Sequence, residues 1–363
     1  MADNHSPAKK PVIALITNDV IGRNMAGPGI RYWEFGRVLG QHLPVKVIVP
    51  PLVAGMVPSP DADSPASFHN CSTIPEFEHQ VAGCDVIVTL GLVAYFYPFL
   101  LQDDKKYRIF DMYSPYLLEI MQREKDYRFS DRMATYENLL AAITAQFRLG
   151  DFFICASEKQ LDNYLGVLLA AGRLNPFTQD QSETFRKLID VVPFGLPRGV
   201  PEHSKPTLKG VFKSIGRDDQ VILWGGGVWN HLDALTLIRA MPLVLEQRSN
   251  VKLFFMGIRR PNPTIKQAEA VDQIIILSQQ LGLYETNIFF NDWVPYHERQ
   301  NYWLEADVGA SLHVEHTETR FSFRTRLLDA IWTGLPMVCT RGDVLGEMMA
   351  ANGLAELVEP GDV

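Results

Sequence analysis

Three segments carry the residue types and spacings from which an anion site can be built. The first is Trp224-Gly225-Gly226-Gly227-Val228-Trp229, which follows an apolar run that reads as a strand and precedes a helical pattern. Glycines at such a turn let backbone N–H groups approach a phosphate at a helix N-terminus. Gly225, Gly226, Gly227 and Trp229 are the candidate binders, and a plain strand-to-helix turn is the alternative. The second segment runs from Glu318 through Ser322, Arg324 and Arg326 to Asp329. A helix expected to start near Ser322 places Arg324 in its first turn, where the macrodipole disfavours a cation. A bound anion would remove that conflict, so Arg324 becomes the candidate anion ligand, with Glu318 the other candidate catalytic group. Arg326, two residues on, lies about 200° around such a helix, so the two arginines are not expected to share one phosphate. The competing reading pairs Arg324 with Glu318 and leaves it only bracing the loop. Asp329 can accept hydrogen bonds from both hydroxyls of a ribose. The third segment, Gly27-Pro28-Gly29-Ile30-Arg31, reads as a loop before a helix over Arg31–His42 and could hold an acceptor or approach phosphates. Asp111, at the end of an expected strand, is grouped with it.

Other candidates are weaker. His313-Val314-Glu315-His316 offers metal-type ligands, but two histidines three apart on a strand face opposite ways, and the helical His-Glu-x-x-His spacing is absent. No metal site is expected. Ser157, with Gln160 three residues later, is better read as a helix cap than as a nucleophile.

The elements that must position these groups alternate along the chain. Short apolar runs over Val12–Thr17, Val45–Val49, Val86–Thr89, Arg108–Asp111 and Phe152–Ala156 read as strands, with helical stretches between them. A second series reads as strands at Val221–Trp224, Val251–Met256, Ile288–Phe290, Val308–Leu312 and Pro336–Thr340. Such alternation argues for parallel sheets flanked by helices. Between the series, Val191 to Pro197 is rich in proline and glycine and the chain to Asp219 is polar. The boundary is therefore expected near residue 195, with domains over 1–195 and 196–363. The chain ends at Glu359-Pro360-Gly361-Asp362-Val363 with no closing helix, which reads as a truncated end.

Composition bounds the rest. At 363 residues the chain is right for about two domains, with 47% apolar and 21% charged residues as in ordinary globular proteins. A formal charge of -8 removes any global basic field for nucleic acid. Cys71, Cys84, Cys155 and Cys339 form no Cys-x-x-Cys pair and read as buried thiols of a cytoplasmic protein. Met1 to Lys10 is a polar lead-in without a signal core. Val86 to Leu101 is apolar but falls short of the roughly 20 residues a span requires; it leaves peripheral membrane association open.

Together these segments resemble the retaining group 1, or family four, glycosyltransferases of the GT-B fold. Ala26 to Arg31 with Trp33-Glu34 looks like that family's N-terminal glycine loop and first helix. Val192-Pro193-Phe194-Gly195-Leu196 looks like its passage into the interdomain linker. Ala306-Asp307-Val308 is typical of it, and Asp329-Ala330 through Thr333-Gly334-Leu335-Pro336 is similar to its Glu-Ala segment. The resemblance implies two Rossmann-like α/β domains facing across a cleft. It implies a nucleotide-sugar donor held by the C-terminal domain, an acceptor (glycan, lipid or small molecule) on the N-terminal one, retention of configuration, and no cofactor or bound metal. Asp329 matches the family's ribose-binding glutamate. Two positions depart from the pattern. Phe321 stands where a first glutamate is usual, and the loop from Gly225 to His231 lacks the usual arginine and lysine. Those departures keep two alternatives in view: a nucleotide-sugar-binding scaffold without catalysis, and a GT-B-type epimerase or sugar-phosphate synthase.

Overall fold

The computed structural model describes residues 9–53 and 64–363, so most of the expected lead-in, Met1 to Ala8, lies outside the described residues. The strands are β1 (Ile13–Ile16), β2 (Val45–Val49), β3 (Ser67–Asn70), β4 (Val86–Leu90), β5 (Tyr107–Asp111), β6 (Phe152–Cys155), β7 (Ile189–Val191), β8 (Gln220–Trp224), β9 (Val251–Phe255), β10 (Ile288–Phe290), β11 (Val308–Ser311), β12 (Met337–Thr340) and β13 (Ala355–Val358). They form two sheets, ordered β3-β2-β1-β4-β5-β6-β7 and β10-β9-β8-β11-β12-β13. The pairings between β1 and β4 and between β8 and β11 are parallel. In each sheet the strand order reverses at that pairing, which makes the loops after those strands the expected ligand position of a doubly wound sheet.

The central strands are continuous apolar runs because helices cover both sheet faces. Leu15, Ile16, Val47 and Ile48 are fully buried in the first sheet, and Leu223, Trp224, Leu253 and Phe254 in the second. The second core continues through Trp303, Leu327 and Met337. Three strands escaped the reading of the sequence: β3, β7 and β13. None carries a fully apolar run, and all three sit at sheet edges, where one side need not be hydrophobic.

By internal contacts the chain divides into two compact units. The first comprises the chain up to Met112 with Asn138–Ile154 and Leu165–Asp190; the second comprises Tyr113–Glu137, Cys155–Tyr164 and Val191–Val363. The second unit therefore includes two stretches that precede the Val191–Pro197 segment in sequence. Gln160 is one of the ties within it: its side-chain amide donates to the carbonyls of Tyr113 (2.6 Å) and Phe321 (2.8 Å). Ser157 Oγ accepts from the Gln160 N–H at 3.3 Å while Gln160 Oε1 takes the Ala156 N–H at 2.7 Å, so Ser157 caps the helix Glu158–Ala170. Among the described residues no helix is long and apolar enough to cross a membrane. Val86 to Leu101 forms β4, the short helix Gly91–Phe96 and a 3-10 turn.

Candidate active site

In the second unit, four loops leave the C-terminal ends of β8, β9, β11 and β12. The loop after β8 holds Gly225 to His231. Gly225 is fixed by space: a Cβ there would lie 2.1 Å from the Trp303 indole. The helix that follows does not start at these glycines. It spans Ala234–Gln247, and Asp233 caps it by accepting from the Thr236 N–H at 3.0 Å. The expected helix-terminus cradle is thus displaced by several residues and already capped.

The loop after β11 also departs from expectation. Residues Thr317–Phe321 make a 3-10 turn, and the helix spans Arg326–Thr333 with Thr325 at its N-cap. Arg324 therefore precedes the helix, and Arg326 occupies its first position. The conflict between a cation and the helix dipole belongs to Arg326. The expected 200° separation of the two arginines does not apply, because only one is helical. Ser322, at the end of the 3-10 turn, is buried and its hydroxyl donates to the Thr319 carbonyl at 3.0 Å. His313 and His316 lie beyond the end of β11, with ring centroids 6.4 Å apart, and among the described residues no group of three metal-type ligands forms.

Arg324 and Glu318 do meet. Arg324 Nη2 donates to Glu318 Oε2 at 2.7 Å, with both side chains buried, as the bracing alternative expected. Yet Arg324 Nε is buried with no hydrogen-bond partner among the described residues. Arg326 Nη2 donates to the Gly227 carbonyl at 3.0 Å and its guanidinium lies 5.2 Å from the Trp224 ring centroid, while its buried Nη1 likewise lacks a partner among the described residues. The loops after β8 and β11 are thereby joined: Gly225 to Trp229 and the two arginines share one locality.

Burial sets the electrostatics. It pulls Arg326 down to about 9 and His313 down to about 4. His231 is held well below the usual histidine range by burial, reinforced by Arg324, His316, Arg326 and Arg260. These imidazoles are therefore neutral near pH 7, and adding a proton to them is costly beside so many cations. Burial raises the Glu318 carboxyl, against the pull of Arg324. Asp343, the cap of the helix Val344–Ala351, is raised by burial as well. Buried guanidinium N–H groups without acceptors cost about 1–3 kcal/mol each, a cost that an anion carrying several oxygens would remove.

Asp329 sits apart from this cluster. Its Oδ1 accepts from Arg299 Nε at 3.0 Å, and the same arginine lies over the Tyr296 ring. Burial raises the Asp329 carboxyl and Arg299 opposes the rise. In the first unit, Gly27 and Gly29 are not in a preceding loop. The helix runs Gly27–Leu39 with Pro28 in its first turn, and a Cβ on Gly29 would lie 2.2 Å from the Val20 carbonyl oxygen. Arg31, on that helix, reaches Asp111 at the end of β5 with Nε–Oδ2 and Nη2–Oδ1 distances of 2.6 and 3.0 Å.

Sequence reasoning missed Arg260. It follows β9, its Nη2 donates to the Val228 carbonyl at 2.9 Å, and its guanidinium lies over the face of Trp229. The local signal was only a basic pair, Arg259-Arg260, in a Pro- and Gly-containing loop.

Two parallel doubly wound sheets are the architecture of the GT-B fold. The chain is similar to sucrose-phosphate synthase from Thermosynechococcus elongatus, at 16% identity and a TM-score of 0.67, over 97% of this chain and 87% of that one. It is similar to WaaG, a glycosyltransferase involved in lipopolysaccharide biosynthesis, at 15% identity and a TM-score of 0.62, over 96% and 86% of the two chains. It is also similar to Anabaena HepE in complex with UDP and glucose, at 12% identity and a TM-score of 0.58, over 97% and 86%. Residues 219–363, which hold the whole arginine-lined site, match the family model described as glycosyl transferases group 1. No curated protein sequence matches significantly.

Proposed function

We propose that the protein transfers a sugar from a nucleotide-sugar donor to a glycan, lipid or small-molecule acceptor, with retention of configuration and without a bound metal. The observation that carries this reading is the meeting of Arg324, Arg326 and the Gly225–His231 loop at the strand-order reversal of the second sheet. When the sugar leaves, negative charge builds on the diphosphate, and fixed cations in a dry site stabilise it with little reorganisation. Glu318 holds Arg324 in place, Arg326 and the loop face the diphosphate, and Asp329 accepts from the ribose. Gly27, Gly29, Arg31 and Asp111 belong to the acceptor-side domain, with a hinge near Pro193 to Pro197. HepE, which shares the fold, has been seen with UDP and glucose, which supports a nucleoside diphosphate as the leaving group.

The test is a thermal-shift screen over nucleoside diphosphates and nucleotide sugars, followed by product analysis. A ligand at 100 times its dissociation constant stabilises by about 2.7 kcal/mol. Donor turnover that survives a chelator supports the reading. Loss of turnover with a chelator and recovery with Mg²⁺ or Mn²⁺ refutes metal independence, and tight donor binding with neither transfer nor hydrolysis refutes catalysis.

A further inference from the structure

The resemblance leads one to expect two cations inside the loop after β8, and Gly225 to His231 contains neither arginine nor lysine. Two arginines reach that loop from the neighbouring strands. In the sheet, β8 lies between β9 and β11. From the β11 side, Arg326 donates to the Gly227 carbonyl at 3.0 Å. From the β9 side, Arg260 donates to the next carbonyl, Val228, at 2.9 Å. Consecutive peptide groups are thus gripped by guanidiniums that arrive from opposite flanks.

We propose that Arg260 is a second phosphate ligand of the nucleotide site, acting with Arg326 across the Gly225–His231 loop in place of the basic pair the loop lacks. This rests on the reading of the second unit as a nucleoside-diphosphate site. Two features carry it. The guanidinium lies over the Trp229 face, so its plane is fixed before a ligand arrives, and its edge N–H groups are directed rather than free to rotate. It also shares surroundings with the other cations, because Arg260, Arg324 and Arg326 all act on the buried His231 imidazole, which burial and their charge together hold neutral. A nucleoside diphosphate carries two or more negative charges, and Arg324 is already matched by Glu318. A cation on each flank of the loop suits both phosphates better than Arg326 alone. The planar fork of Arg260 can meet two oxygens at once, a geometry lysine does not reproduce.

The experiment is calorimetry on the full chain. Wild type is first titrated with UDP, GDP, ADP, CDP and TDP. The diphosphate that binds tightest is then compared with its monophosphate and nucleoside in wild type, Arg260→Lys and Arg260→Gln. The expected result for Arg260→Gln is a loss of about tenfold or more in diphosphate affinity, as for a hydrogen bond to a charged group, with the nucleoside changed by less than about twofold. Arg260→Lys should fall between the two. Equal losses for nucleoside and diphosphate would make Arg260 a brace for the loop and overturn the assignment, as would unchanged diphosphate affinity or failure of both variants to fold. If wild type binds none of the five diphosphates, the nucleotide reading falls and this inference falls with it.

Discussion

Each unit buries an arginine–carboxylate pair, and the two pairs differ in one respect. In the first unit, Arg31 and Asp111 have side chains 1% and 0% exposed, and both oxygens of Asp111 are taken by Arg31. In the second, Arg324 and Glu318 are 9% and 4% exposed, but only one bond joins them. Burial is similar, so burial does not separate a brace from a site. The separating feature is how far the carboxylate is committed to its arginine: two parallel bonds close the first pair, and a single bond joins the second.

The largest effect that could break this comparison belongs to the first unit. Removing one member of a buried pair leaves an uncompensated charge and costs about 3–5 kcal/mol. Asp111→Ala should lower the unfolding free energy in urea by that amount. A loss below about 1 kcal/mol would mean that Arg31 finds water or another partner and that the pair is not closed. Arg324→Lys should behave in the opposite way. It keeps the charge and much of the volume, so stability should change little, while turnover of the donor falls on the order of 10²-fold, as when one preorganised donor to a developing anion is lost. Wild-type turnover in Arg324→Lys would place the diphosphate elsewhere.

Asp329 sharpens the comparison at smaller scale, since it combines a partner with a proposed ligand. Asp329→Ala should weaken nucleoside affinity by about 1.5–3 kcal/mol, the range for hydrogen bonds to a charged group. Because Arg299 Nε lies 3.0 Å from Asp329 Oδ1, Arg299→Met is the control. If both variants lose affinity equally, the ion pair rather than the carboxylate is what the nucleoside requires. If neither loses any, Asp329 has no ribose contact.

The contrast also explains what could be read beforehand. Runs such as Ile13–Ile16 and Phe152–Cys155 announce themselves because a central parallel strand must be apolar on both faces. Ser67–Asn70 and Ala355–Val358 do not, because edge strands escape that demand. The segment from Glu318 to Asp329 was legible as a binding loop from its charges and its place after a strand. Its geometry was not, because a 3-10 turn takes Thr317–Phe321 and the helix starts only at Arg326, with Thr325 at an N-cap position that makes no side-chain cap bond. Arg260 was illegible for a different reason. Its partners, Val228 and Trp229, lie about thirty residues away, and only the pairing of β8 with β9 brings them together.

The smallest expected effect on donor binding concerns a carboxylate in the second unit that is closed rather than open. Glu305 accepts the backbone N–H groups of Thr207, Leu208 and Lys209 at 2.7, 2.7 and 2.9 Å and meets His203 Nε2 at 2.7 Å. Burial alone would raise its carboxyl, but the bonds from His203 and the three N–H groups prevail and hold it below the ordinary glutamate value of 4.5. A carboxylate whose folded value is depressed contributes stability that is fully present above its unfolded value and is lost as pH falls through the lower folded one. Stability measured in urea from pH 7 downward should therefore decline below about pH 4.5, and part of that decline should vanish in Glu305→Gln. The amide keeps one oxygen and turns an NH2 group towards N–H donors at the other, so the variant should cost about 1–3 kcal/mol at pH 7. Donor affinity should not move, because Glu305 serves the stretch from His203 to Lys209 and makes no bond to the arginine cluster. If Glu305→Gln instead lowers donor affinity at unchanged stability, closed and open carboxylates are not separable by their hydrogen bonds, and the distinction drawn between the two arginine pairs loses its basis.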